Sequence, residues 1–60
     1  MLIAALRALP PRQREVLVLR YYADLDVGEV AQILRIGPST VRSAAARGLA
    51  VLARVIEEGP

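Results

Sequence analysis

The residues best equipped for chemistry lie between positions 35 and 47, where Ser39-Thr40, Arg42-Ser43 and Arg47 follow Arg35 at helical spacing. Ser39, Ser43 and Arg47, spaced four residues apart, gather on one side of a helix. That mixture suits hydrogen bonds to phosphate oxygens and to base edges in a nucleic-acid groove. All eight cations of the chain are arginine. A guanidinium fork engages phosphate or guanine bidentately, whereas an ammonium acts as a point charge. Codon bias in a GC-rich genome gives the same arginine usage, so the spacing carries more weight than the composition. The formal net charge of +2 is compatible with a nucleic-acid partner without requiring one.

Other chemistries are poorly provided for. The chain has neither cysteine nor histidine, which removes disulfides, the usual zinc ligands, cysteine nucleophiles and the commonest general base. The six acids form no recognisable catalytic pair, and 60 residues bury too small a core to enclose an elaborate pocket. No enzyme activity, metal or cofactor is expected. Apolar runs are short and broken by charges, well below the ~20 residues of a membrane span. No basic secretory leader opens the chain, so a cytoplasmic protein without membrane partners is expected.

Prolines and glycines divide the sequence into four segments, none with the alternation of a strand. The expected fold is all-α, a small four-helix domain with helices over 2–8, 11–22, 27–34 and 38–56. Leu2, Ile3, Leu6 and Leu9 make the first stripe, and Pro10 ends it. Pro11 suits the first turn of the second helix. Val16, Leu17, Val18, Leu19, Tyr21 and Tyr22 leave that helix so apolar that it should be covered on more than one side. Asp26-Val27-Gly28-Glu29 has the form of a capping box, followed by a stripe of Val27, Val30, Ala31 and Leu34 that Ile33 broadens. Gly37 is expected to cap the last helix and to supply any unusual backbone angle of the turn, with Pro38 as first helical residue. Val41, Ala45, Gly48, Leu49, Leu52 and Ile56 should then face inward, and Ser39, Ser43, Arg47, Ala50 and Arg54 outward.

Two helices joined by a tight turn, the second bearing small polar and arginine residues in its first turns, form a helix-turn-helix. The major groove, about 12 Å wide, admits one helix. Ser39, Thr40, Arg42, Ser43 and Arg47 are therefore expected to touch DNA, and Arg35 to meet a phosphate beside the turn. The run Leu9-Pro10-Pro11-Arg12-Gln13-Arg14-Glu15-Val16-Leu17-Val18-Leu19-Arg20-Tyr21-Tyr22 resembles the opening of region 4 of bacterial RNA polymerase sigma factors, sigma-70 superfamily, extracytoplasmic-function type. Glu29-Val30-Ala31, Leu34, Thr40-Val41-Arg42-Ser43 and Arg47-Gly48-Leu49 continue that resemblance in register, over about residues 5 to 54.

The resemblance implies a domain that binds the upstream, −35 promoter element, here a single unit over residues 1–60 that is part or relative of a longer sigma factor. It implies as partners promoter DNA, the flap of the polymerase beta subunit, and an anti-sigma factor competing for the same surfaces. Leu6, Val16, Leu17, Arg20 and Tyr21 would form the protein-binding groove. Many members carry longer polar residues where this chain has Ala44 and Ala46, which would leave base edges without hydrogen bonds; Gly37 replaces a serine cap. Two other readings stand beside it: a LuxR-type regulator domain, and an interaction module that uses its apolar groove and never touches DNA.

Overall fold

The computed structural model describes the backbone of residues 2–58 and the side chains of residues 4–58. It is built of α1 (Leu2–Arg7), α2 (Pro11–Leu17), α3 (Val27–Leu34) and α4 (Pro38–Glu58), with α2 prolonged by a π-helical turn over Val18–Tyr22. The expected all-α, four-helix architecture is what forms. The first helix ends one residue early because the N–H groups of Ala8 and Leu9 turn back to the carbonyls of Ala5 and Leu6, both at 3.1 Å, tightening the last turn ahead of Pro10. In the expected first stripe, Leu9 is buried and Leu6 half-buried, while the side chains of Leu2 and Ile3 lie outside the described residues.

The second helix is central, as its all-round apolar composition requires. Val16 points one way, into a cluster with Val30, Ala31, Val41 and Ala44 that joins α2 to α3 and α4. Its neighbour Leu17 points the other way, into a cluster with Ala5, Leu9 and Leu52 that joins α2 to α1 and α4. Adjacent residues on a helix diverge by about 100°, so two neighbours serve two cores. Val16, Val30 and Val41 are fully buried, and each contributes roughly 1.5–3 kcal/mol by leaving water. Ile36 seats the turn against the first cluster. Ile33 and Ile56, both expected on inward faces, are 57% and 69% exposed. Ile33 lies beyond the strip of α3 that α2 and α4 cover, and Ile56 lies past Leu52, the last buried residue of α4.

Helix α2 packs directly on the backbone of α4 at Gly48. A Cβ there would stand 2.8 Å from Leu17 Cδ1, 3.2 Å from Leu17 Cγ and 3.5 Å from Gln13 Cβ. Glycine inside a helix costs about 1 kcal/mol of propensity; overpacking a core costs about 1–3 kcal/mol, so the close approach outweighs the propensity. On the α2 side of this contact the Gln13 Oε1 atom is buried without a hydrogen-bond partner. Gly48→Ala is expected to lower the urea midpoint, by on the order of 1 kcal/mol net, despite alanine's better helix propensity. A midpoint equal to or above that of the parent would show that Leu17 moves aside at no cost and that the helices are not set by this contact.

Candidate nucleic-acid interface

The surface that presents Ser39 to Arg47 depends first on where α3 starts and stops. Its start is fixed by the expected capping box: the Glu29 N–H donates to Asp26 Oδ1 at 2.8 Å, and the Asp26 N–H donates to Glu29 Oε1 at 3.0 Å. The preceding turn is tied to the end of α2. Arg20 Nη1 donates to the Leu25 carbonyl at 2.7 Å, and the N–H groups of Ala23 and Leu25 donate to the carbonyls of Val18 and Leu19, each at 3.0 Å. Asp24 adopts φ 60° within this turn, a left-handed conformation that aspartate accepts more readily than most residues.

The stop differs from expectation. Arg35, not Gly37, takes the left-handed conformation, with φ 58° and ψ 47°, and no described glycine has positive φ. A left-handed residue directly after the last helical turn lets following N–H groups close on free carbonyls. Here the N–H groups of Arg35 and Ile36 both reach the Ala31 carbonyl. Gly37 comes too late for that role and instead caps α4, its carbonyl accepting from the Val41 N–H at 3.1 Å. Pro38 follows as first helical residue, where its missing N–H leaves nothing unsatisfied.

Along α4 the inward line is Val41, Ala44, Gly48 and Leu52. Ala45 is half-buried and Leu49 is 43% exposed, so the inward face is rotated toward Ala44 relative to the expected one, because α3 as well as α2 packs on this helix. Ala44 is therefore core, 7% exposed against Val16 and Val30, and does not stand at a base edge; Ala46 is exposed. Ser39, Thr40, Arg42, Ser43 and Arg47 are all exposed on the first half of α4, and Arg35 is exposed in the turn before it. Neither Arg42 nor Arg47 has an ion-pair or hydrogen-bond partner within the described residues, where the ion pair formed is Arg12–Glu15 at 3.6 Å.

The domain also carries an open apolar groove of about 240 Å³, lined by Leu6, Leu17, Val18, Tyr21, Tyr22, Leu49 and Leu52. Of the residues expected to receive a protein partner, Leu6 and Tyr21 line it and the nearly buried Leu17 forms its floor. Val16 does not belong there: it is fully buried in the cluster facing α3. Arg20 is held by the Leu25 carbonyl and lies 5.1 Å from the Tyr21 ring centroid, so it braces the groove wall instead of lining it. Val18, Tyr22, Leu49 and Leu52, to which the sequence assigned no part in this groove, complete it. Tyr21 and Tyr22 are 57% and 87% exposed and form its rim.

A capped helix, a three-residue turn and a second helix with unpartnered arginines define a helix-turn-helix DNA-binding domain. Residues 1–52 match the family model for sigma-70, region 4, and the chain belongs to that family. This is a transcriptional, DNA-binding and non-catalytic family that recognises the −35 element and works with RNA polymerase; the match sets the LuxR-type reading aside. No curated protein and no solved structure matches the chain significantly. Among the described residues no helix is long and apolar enough to cross a membrane, and no group of acids could hold a metal ion.

Arg35 combines an outward cation with a backbone position that favours glycine. Arg35→Gly is expected to raise the urea midpoint, since the left-handed conformation costs a side-chain-bearing residue roughly 1–2 kcal/mol and glycine's extra unfolded-state freedom offsets only part of that. Arg35→Ala should give no such gain. Equal stabilities of the two variants would remove the strain assigned to this turn.

Proposed function

We propose that this domain reads the −35 promoter element by laying the first half of α4 in the major groove, as the promoter-recognition part of an extracytoplasmic-function sigma factor acting in the cytoplasm. Ser39, Thr40, Arg42, Ser43 and Arg47 face the DNA, and Arg35 meets a phosphate beside the turn. The observation that carries this reading is the set of exposed hydroxyls and unpartnered guanidiniums around the outward side of the first half of α4, in a chain whose family binds this element. Cations left free of protein partners are available to phosphate at little desolvation or rearrangement cost.

In the same proposal the groove of Leu6, Leu17, Tyr21, Tyr22 and Leu49 receives an apolar helix of the polymerase beta flap, and an anti-sigma factor competes for it. Helix-in-groove recognition needs an open apolar trough with anchors at helical spacing, which these side chains supply. Residues 1–60 act as one domain, part or relative of a longer sigma factor.

The two surfaces share no residue and should fail separately. Replacing both Arg42 and Arg47 by alanine is expected to weaken binding of a promoter-length duplex by at least tenfold in fluorescence anisotropy at fixed salt, while a beta-flap helix peptide binds as before. Unchanged DNA affinity in a variant of unaltered helicity would sink the promoter reading and leave an interaction module.

A further inference from the structure

Arg42 and Arg47 sit on opposite flanks of the reading helix. With the buried line Val41, Ala44, Gly48 and Leu52 taken as inward, steps of about 100° per residue place these arginines roughly 140° apart around the helix, one on each side of the outward direction. Ser39, Ser43 and Ala46, all exposed, fall between them, within about 40° of straight outward. The ridge of the helix thus carries short side chains and its two shoulders carry long cationic ones.

A helix about 10–12 Å across fills a major groove about 12 Å wide. Its ridge then meets the base edges and its shoulders meet the two sugar–phosphate walls. Given the proposed promoter reading, on which this step rests, we infer that Arg42 and Arg47 clamp phosphates of opposite strands, and that base discrimination falls to Ser39, Ser43 and Ala46. The short ridge lets the helix sit deep between the walls. The arginines set affinity and salt dependence; the hydroxyls and the Ala46 methyl, which suits a thymine methyl, set preference.

The clamp is tested by exchanging each arginine for lysine and, separately, for alanine in the full chain, with helicity checked for every variant. Duplexes are selected from a randomised pool at fixed salt and sequenced, and the affinity for a selected duplex is titrated against salt. Phosphate contact tolerates a point charge, so Arg42→Lys and Arg47→Lys should keep the parent base preference at every position and bind within about twofold. Each alanine variant should bind selected and scrambled duplexes with the same proportional loss and lower the salt slope by about 0.9. Loss of preference for one guanine in a lysine variant, with the other positions intact, would overturn the clamp and make that arginine a base reader. That result leaves the promoter reading standing, whereas failure of the parent chain to retain any duplex overturns both.

Discussion

The contact between Leu17 and the bare backbone at Gly48 seats α2 on α4, and both the groove and the exposed start of α4 are built on that pair of helices. With Leu17 seated on Gly48, the preceding residue Val16 is turned toward α3, where it meets Val30 and Val41. The helix-turn-helix is thereby pinned from behind by the same helix that forms the floor of the groove. A wider separation would loosen two clusters at once, since α2 and α4 contribute to each of them. In a domain of this size, where total stability amounts to a few kcal/mol, neither cluster is dispensable.

The features legible in the sequence were those decided within a few residues. The capping box at Asp26 and Glu29, Pro11 and Pro38 as first helical residues, and the break after α1 all follow from local hydrogen bonding and ring geometry, and helix boundaries came within two residues of those observed. The exposed positions of Ser39, Thr40, Arg42, Ser43, Arg47 and Arg35 were legible for the same reason, because small polar and charged residues rarely enter a core.

What escaped the sequence was decided by neighbours distant in the chain. Alanine carries little information about which way it faces, so Ala44 entered the core and Leu49 left it once α3 and α2 shared the surface of α4. Arg35 gives no sign of a left-handed backbone; that conformation is imposed by the path from Ala31 to Ile36. The π-helical turn over Val18–Tyr22 has no periodic signature, yet it directs Arg20 toward Leu25 and leaves the two tyrosines at the rim of the groove.

One unbroken helix of 21 residues carries Ser39 to Arg47 near its start and Leu49 and Leu52 in the wall of the groove. Without a hinge between those stretches, tilting the wall swings the serine end by the same angle, over a lever roughly 15 Å long. The serine end and the groove wall are thus parts of one rigid element, and a displacement of either is carried to the other by rigid-body rotation alone, with no rearrangement of side chains in between.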